Sequence, residues 1–501
     1  MKTNKQILNI LLNSLLILLL LSLISVLGGN ELMARPGGGH SYSGGGGGYS
    51  GGGGDGGGLI ILLLMQLPPQ ISIPLVLGII IFRYVVQKRK KNQSGTVNSA
   101  PPISSRIKST NKTEHSIESL KQKDPNFSEV VFLDFVASLY NKYYSFFGKP
   151  EFKNISPFLS KTDMQKSASL SIKQDIKEIV IGSLDIKNIS TQNDYTRIEV
   201  EIRANYTLIK NRKSSRLRVV ERWSFKRKAG VLSLEPEAMR RLTCPSCGGS
   251  TDFTDSGTCS YCGSQIEAGE KQWFLNQRRI LVSELFNTSG LAHYETEQGT
   301  SLPTVYQSGL NNKKEQFAQR AGLNWESWSK TFKQQVVSSY FFEIYRSWSQ
   351  NDLKKVRNLL TDRTHENFSF WLDAYEKNGM RNRLENVQIS DIRIAKIELD
   401  KFYDSITVRI FASALDYVTD KNGKVIGGSS KRARKFSEYW TLIRRSGVKT
   451  DSFDHTKCPS CGAPADNIGQ AGVCEYCNSK ISTGDFSWVL AIITQDEEYT
   501  G

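Results

Sequence analysis

The stretch VVERWSFKRKAGV at residues 219–231 recurs as FSEYWTLIRRSGV at residues 436–448. Both stretches place a glutamate two residues before a tryptophan, an arginine four residues after it, and a Gly-Val pair at the end. The similarity continues downstream, where Tyr-Cys, Ser, Ile, Gly, Trp and Leu recur in the same order from Tyr261 and from Tyr476. A match with a period of about 215 residues indicates that the chain is a tandem duplication.

All eight cysteines of the 501-residue chain lie in CxxC pairs, two pairs in each repeat. A CxxC on a tight turn directs two thiolates at one ion, and two such turns complete the tetrahedral shell that zinc prefers. A residue that tolerates positive φ follows the second cysteine of each pair, namely Gly248, Gly263, Gly462 and Asn478. The sequence therefore predicts two structural Zn²⁺ ions per chain, with disulfides, redox thiols or an iron–sulfur site as alternatives. The predicted metal ligands are Cys244, Cys247, Cys259, Cys262, Cys458, Cys461, Cys474 and Cys477.

Each repeat begins with helical patterns and continues with strands. Apolar residues recur at helical spacing in 127–147 and 327–350, and they alternate with other residues in 196–204 and 406–414. Because helices precede antiparallel strands, the pattern predicts an α+β unit. We expect a curved sheet to wrap around the long helix, with the tryptophan strand closing each unit.

The N-terminal region carries two long apolar runs. The first, Ile7–Leu27, follows Lys2 and Lys5 and is typical of a secretory signal or an uncleaved signal anchor, which we bound at 1–34. A glycine-rich stretch, 35–58, is predicted to be a flexible loop. The second run, 59–82, has no charged residue and predicts a transmembrane segment, with a buried or interfacial hairpin as the alternative because of its prolines.

Basic residues follow the second apolar run. Arg83 and the cluster 88–91 stand directly after it, whereas the loop before it offers only Arg35. The positive-inside bias therefore places the loop outside and everything after residue 83 in the cytoplasm. A reducing cytoplasm favours metal ligation over disulfides for the eight cysteines.

The order of signal segment, HSYSGGGG loop, membrane span, basic flank, helices, antiparallel strands, E-x-W motif and zinc ribbon resembles the bacterial Tim44-like membrane proteins. Their domain belongs to the cone-shaped NTF2-like superfamily. The resemblance implies a non-enzymatic scaffold at the bacterial inner membrane that binds polypeptides and acidic lipid, linked to protein transport. The implied organisation is 83–124 basic flank and polar linker, 125–243 first domain, 244–275 first ribbon, 276–320 linker, 321–457 second domain, 458–490 second ribbon and 491–501 tail.

The formal charge of +16 and the pI near 9.3 indicate anionic partners. Basic residues cluster in the turn before each tryptophan strand, where they could contact anionic lipid head groups or lie in solvent. Nucleic acid is a less favoured partner, since neither a stacking aromatic pattern nor a recognition helix accompanies the charge. The clusters are Lys210, Arg212, Lys213, Arg216 and Arg218 in the first repeat, and Lys421, Lys424, Lys431, Arg432, Arg434 and Lys435 in the second.

The E-x-W motif allows two interpretations. Glu221, Trp223, Glu438 and Trp440 could line a small-molecule pocket, which would fit an enzyme, or they could pack in the core, with glutamate and arginine of the motif paired across strands. No G-x-S-x-G, P-loop or HExxH motif occurs, so the sequence predicts no catalytic residue and no organic cofactor. The stretch 301–305 between the repeats has no explanation from the sequence.

Overall fold

The computed structural model describes residues 117–147, 149–170, 174–192, 194–249, 252–254, 256–286, 299–449, 454–496, 498–499 and 501, together with the single residue Pro36. The predicted signal segment, membrane span and basic flank lie outside these residues, as does the predicted loop apart from Pro36. None of the helices in this part of the chain combines the length and the apolar composition that a membrane crossing requires.

In the first repeat (residues 117–286), residues 117–123 are helical. They are followed by helix α1 (Glu129–Phe146), a 3₁₀ segment (Pro150–Phe158) and helix α2 (Lys161–Leu170). Strands β1 (Gln174–Gln192), β2 (Tyr195–Lys210) and β3 (Lys213–Lys228) come next, then helix α3 (Pro236–Arg241), the first cysteine ribbon and strand β4 (Phe274–Leu285).

The second repeat (residues 299–499) follows the same order. A 3₁₀ turn (Gly299–Ser301) and helix α4 (Leu310–Ala321) precede helix α5 (Trp325–Thr331), a π-helical stretch (Phe332–Ser338) and helix α6 (Ser339–Gln350). A 3₁₀ segment (Leu353–Leu359) and helix α7 (Asp362–Lys377) lead into strands β5 (Met380–Leu399), β6 (Tyr403–Asp420), β7 (Val425–Gly428) and β8 (Arg434–Arg445). The second ribbon, with a 3₁₀ turn (Ala465–Asn467), precedes strand β9 (Val489–Gln495).

Each repeat packs an antiparallel sheet against its long helix. The strand orders are β1-β2-β3-β4 and β5-β6-β8-β9, with β7 paired to β6. Ser128 caps the N-terminus of helix α1, where its hydroxyl accepts a hydrogen bond from the Val131 amide at 3.3 Å. Its buried face contributes Phe135 and Leu139 to the same core as Trp223. The predicted α+β class is confirmed.

The curvature of the two sheets has the same origin. The pairing of β1 with β2 shifts register at Lys177/Val180, Ile181/Ser183 and Ile186/Asn188, and that of β5 with β6 at Glu385/Gln388, Ile389/Asp391 and Ile394/Lys396. Every one of these irregularities recurs 208 residues later in the chain. Because β-bulges bend and twist a sheet, the duplicated sequence produces the same bend twice.

Each cysteine ribbon is an insertion within a sheet. The chain leaves the first sheet at the end of β3, forms the ribbon and returns as β4, which pairs antiparallel with β3 from Lys226 to Leu217. Strand β9 returns beside β8 in the same way. The tryptophan strand therefore does not close the unit, and residues 276–285, which the sequence analysis placed in a linker, form most of β4. The alternation of apolar residues in β4 is too weak to predict a strand from sequence.

The two repeats are in contact. The turn between β5 and β6 packs against the first repeat, where Phe402 is 5% exposed within the first core. Arg240 donates to the Tyr403 hydroxyl at 2.6 Å, and Lys401 donates to Asn126 at 2.9 Å. On another side, Phe286 packs against Trp371 with ring centroids 5.7 Å apart. Residues 117–286 and 299–499 therefore belong to one compact unit.

The stretch 301–305 lies across the outer face of the second sheet. The Val305 amide donates to the Tyr439 hydroxyl at 2.9 Å, and Arg409 donates to the Leu302 carbonyl at 2.9 Å. Arg409, which is 1% exposed, also forms an ion pair with Asp496 at 2.9 Å. Buried Arg409 thus attaches both the stretch 301–305, at the start of the second repeat, and Asp496, directly after β9, to the sheet.

Candidate metal centres and buried carboxylates

The eight cysteines form two groups of four. Within each group the sulfur atoms all lie within 4.8 Å of one another, and the four residues are those predicted from the sequence. The Sγ atoms of Cys244 and Cys262 are 4.0 Å apart, those of Cys458 and Cys477 3.9 Å, and those of Cys461 and Cys474 3.8 Å. Four Zn–S bonds of about 2.3 Å in a tetrahedron place the sulfurs about 3.8 Å apart. Each group can therefore hold a metal ion.

The same distances argue against disulfides. A disulfide requires sulfur atoms about 2.05 Å apart, and all eight cysteines are free. The hydroxyls of Ser264 and Ser479 hydrogen-bond to Cys262 and Cys477 and lower the pKa of each thiol to about 6. Hydrogen bonds among the cysteines raise the pKa of Cys247 and of Cys461 to about 12, so each group has one thiol that ionises readily and one that does so only with difficulty.

The four turns that carry the cysteines share one backbone geometry. In each, the amide of the residue after the second cysteine donates to the carbonyl of the first, at 2.8 Å from Gly248 to Cys244 and 2.9 Å from Gly462 to Cys458. That residue has positive φ in every case: Gly248 +69°, Gly263 +69°, Gly462 +76° and Asn478 +57°. The predicted need for glycine or asparagine is confirmed.

The second ribbon is fastened to its own repeat by Arg357. This side chain is 1% exposed and donates to the Gln470 carbonyl at 2.8 Å, between the two CxxC pairs. A Cβ on Gly472 would lie 2.5 Å from the Arg357 guanidinium. Asp362 pairs with both Arg357 and Lys480. The first ribbon is attached differently: its Phe253 and Ile266 belong to the first core, and Ser156 donates to the Thr254 carbonyl at 3.3 Å.

The E-x-W glutamate of the first repeat is fully buried and hydrogen-bonded through both oxygens. Glu221 accepts from the hydroxyls of Tyr140 at 3.0 Å and Tyr144 at 2.6 Å, and from the Trp223 indole at 2.8 Å. Burial and the neighbouring carboxylate raise the pKa of Tyr140 and of Tyr144 well above the usual value. These hydroxyls therefore stay protonated and act as donors to a buried carboxylate.

The second repeat has the corresponding cluster. Glu438 accepts from the Tyr345 hydroxyl at 2.8 Å and from the Trp440 indole at 2.7 Å, and Phe341 takes the position of Tyr140. Sequence reasoning missed these tyrosines as partners of the glutamates. The available signal was the position of these tyrosines on the apolar face of each long helix: Tyr140 and Tyr144 are one turn apart on α1, and Tyr345 lies on α6.

The arginine of the repeated motif has a different partner from the one expected. Arg227 pairs with Asp124 at 2.6 Å and lies 4.2 Å from the centroid of the Trp273 ring, so the predicted pairing with Glu221 is wrong. Arg444 likewise lies 3.7 Å from Asp404 and 4.5 Å from the Trp488 ring. The tryptophan after each ribbon is thus held against the arginine before it.

Neither of two surface depressions is lined by these clusters. One, of about 350 Å³, lies between α6 and β5 beside Phe342 and Leu384. The other, of about 520 Å³, lies at the β2–β3 turn beside Leu208 and Lys213. Trp223 and Trp440 are fully buried, which supports core packing over a pocket for the motif.

The basic turns are only partly available for a ligand. Arg216 pairs with Glu178 at 3.1 Å and Arg218 with Glu284 at 3.1 Å, while buried Arg434 lies 3.5 Å from Asp416. The remaining members of the two predicted clusters are exposed: Lys210, Arg212, Lys213, Lys421, Lys424, Lys431, Arg432 and Lys435.

Pro36 is buried, and its carbonyl oxygen lies 3.5 Å from the Tyr345 hydroxyl. The shorter bond of that hydroxyl goes to Glu438 at 2.8 Å. The predicted topology puts the loop that contains Pro36 outside and the second repeat in the cytoplasm. A single membrane-inserted chain with that topology could not make the contact between Pro36 and Tyr345, because the two residues would lie on opposite sides of the membrane.

Residues 329–454 match the family model of the Tim44-like domain. The second repeat contains a Tim44-like domain. The match runs from α5 to just before the first cysteine of the second ribbon and confirms the resemblance to Tim44-like proteins inferred from sequence. A solved structure described as an "Ntf2 like protein involved in plasmid conjugation" is similar at 8% identity and a TM-score of 0.17, covering 62% of this chain and 88% of that chain. No curated protein matches the sequence.

Proposed function

We propose that this chain is a membrane-tethered scaffold with two cone-shaped Tim44-like domains, at the cytoplasmic face of a bacterial inner membrane. In the membrane-inserted chain of this proposal, the contact between Pro36 and Tyr345 is not made. The Tim44-like domain of the second repeat carries the proposal. The first repeat supports a second domain of the same kind, because it shares the bulge positions, the buried glutamate–tyrosine–tryptophan cluster and the inserted ribbon. The domains bind anionic lipid head groups and a protein partner.

Zinc is the proposed metal in both ribbons, as a structural ion. Four thiolates at tetrahedral spacing close the coordination shell and leave no position for substrate, which suits a structural ion rather than a catalytic one. Elemental analysis of the region after residue 92 should give two zinc ions per chain. Cys244→Ser and Cys458→Ser should each remove one zinc and unfold one ribbon, since metal binding there supplies folding energy. Iron, or less than one zinc per chain, would contradict the assignment.

The proposed lipid contact uses the exposed ends of the hairpins. In the second repeat, exposed Val425 and Ile426 stand among basic residues Lys421, Lys424 and Lys431, which combines apolar and cationic groups on one hairpin. Each basic residue near an anionic surface contributes about 1 kcal/mol. Residues 117–123 are helical, and buried Ile117 and Leu120 belong to the first core. The tether that we propose between the basic flank and the first repeat therefore ends before Ile117, and not at residue 124 as predicted from the sequence.

Vesicle flotation tests the lipid contact. A fragment from residue 110, checked for folding by circular dichroism, should bind anionic vesicles, release them at high salt and ignore neutral vesicles. Changing Lys210, Arg212 and Lys213 to Ser should weaken binding. A matched control changes Lys153, Lys161 and Lys330, which are exposed and lie outside the hairpins. Equal loss in both variants would mean that net charge alone attracts the protein, and binding of DNA or RNA with a steep salt dependence would favour the nucleic-acid alternative.

A further inference from the structure

Strand β4 has an unusually exposed edge. Only Phe274 and Leu275 of its twelve residues are buried, whereas Ile280, Leu281, Val282 and Leu285 are 48%, 40%, 39% and 70% exposed. Leu159 and Ser160 cover the outer edge at Leu275, where the Ser160 amide donates to the Leu275 carbonyl at 2.9 Å. Beyond Leu275, no strand of the described part of the chain pairs with that edge. Its free amides and carbonyls can therefore accept another strand.

The corresponding strand of the second repeat is protected. Strand β9 has seven residues, and the chain turns away directly after it, where the Tyr499 amide donates to the Gln495 carbonyl at 2.9 Å. Tyr499 then stacks on Tyr439 with ring centroids 3.7 Å apart. The exposed extension of β4 is thus a property of the first repeat and not of the shared fold.

The charged residues of β4, Arg279 and Glu284, favour a second copy of the same strand as the partner of its free edge. Arg279 lies opposite Arg222, and Glu284 lies opposite Arg218. Because Arg222 and Arg218 are four residues apart on β3, they share one face of the sheet, and Arg279 and Glu284 share it with them. An antiparallel copy of the same strand would therefore bring its Glu284 toward Arg279 and its Arg279 toward Glu284, with the apolar residues 280–282 between them.

We propose that the β4 edges of two chains pair antiparallel about a two-fold axis and join the first sheets of both chains into one continuous sheet. The strand contains neither proline nor lysine, which natural edge strands use to prevent such pairing. Tethering to one membrane raises the effective concentration of the partner chain. The proposal does not depend on the lipid contact proposed above.

Energy transfer between donor- and acceptor-labelled full-length chains in detergent micelles tests this pairing. The unmodified chain should form dimers. Ile280→Lys with Val282→Lys should abolish them, because two like charges per strand would meet across the edge. The control, Leu232→Lys with Phe342→Lys, adds the same charge at apolar sites that are 47% and 37% exposed and should leave the dimer intact. A monomeric unmodified chain, or a dimer that survives the β4 substitutions, overturns the proposal.

A charge exchange tests the register. Arg279→Glu and Glu284→Arg should each raise the dissociation constant of the homodimer about tenfold, because each removes two ion pairs between the chains and opposes like charges there. Glu284→Arg also breaks the pair with Arg218 of the same chain, so its folding is checked separately. Mixing the two variants should restore association, since every cross-strand pair is then of opposite sign. Failure of the mixture to associate more tightly than either variant alone would contradict antiparallel pairing at these residues.

Discussion

The Arg227 guanidinium lies 4.2 Å above the centre of the Trp273 ring, which joins the residue where the chain leaves the first sheet to the residue where it returns. Arg444 and Trp488 make the same connection in the second repeat at 4.5 Å. The base of each ribbon is thus closed by a cation–π contact between a strand residue before the four cysteines and a tryptophan after them. This arrangement explains why the arginine and the tryptophan both recur in the sequence.

Removing the Arg227 side chain should destabilise the first repeat strongly. Arg227→Met leaves Asp124 as a buried carboxylate without its ion pair, and breaking such a pair costs about 3–5 kcal/mol. Arg227→Met together with Asp124→Asn should recover part of the loss, because the second change removes the buried charge. Urea unfolding measures both variants. An equal loss in the single and double variants would mean that the contact with Trp273, and not the ion pair, supplies the stability.

Gly472 lies two residues before Cys474 in the second ribbon, and Gly257 lies two residues before Cys259 in the first. Substitutions at these equivalent positions test how the second ribbon is held. Both have positive φ, +66° and +82°, so alanine strains the backbone at either site. Only at Gly472 would the added Cβ collide with the buried guanidinium of Arg357, at 2.5 Å. We therefore expect Gly472→Ala to accelerate metal release to a chelator far more than Gly257→Ala does. Equal rates would show that Arg357 does not secure the ribbon.

The stability of the second repeat should fall as the pH decreases below neutrality. Burial, with a contribution from Arg357, lowers the pKa of His365 to about 4, against an ordinary value of 6.5. Between these values the unfolded chain binds a proton that the folded chain does not, so the free energy of unfolding decreases by about 2 kcal/mol from pH 7 to pH 5. His365→Gln should flatten this slope, measured by urea unfolding at each pH. Metal loss at low pH affects both proteins and cancels in their difference.

Membrane topology can be checked at Tyr345. The basic flank predicts that a tag in the Gly-rich loop is modified only from outside, and that a reporter fused after Lys91 is active in the cytoplasm. A photo-crosslinking residue at position 345 of the full chain in membranes should then fail to capture the segment around Pro36. Capture of that segment would support the Pro36 contact and contradict the predicted orientation.

Local patterns in the sequence were sufficient to group the cysteines into two sets of four and to predict that helices precede strands in each repeat, but not to predict β4. The cysteine groups that begin at Cys244 and Cys458 are recognisable from the CxxC spacing within one turn. The long helices are recognisable from the helical spacing of their apolar residues. The ion pairs of Arg216 and Arg218 could not be foreseen in this way, because each partner lies on another strand, 38 and 66 residues away for Glu178 and Glu284. The hydrogen bonds of Glu221 depend on packing across the whole repeat for the same reason.

The insertion of a ribbon between β3 and β4 has a consequence for biosynthesis. The ribosome releases Lys228 well before Phe274, and everything between them must emerge before the fourth strand can pair. During that interval, the edge of β3 that will pair with β4 has no partner strand. Capture of a metal ion by the nascent ribbon would shorten the loop that has to close, and so reduce the entropic cost of bringing β4 back. The metal supply at the moment of translation would then decide how long this nascent edge is exposed to aggregation.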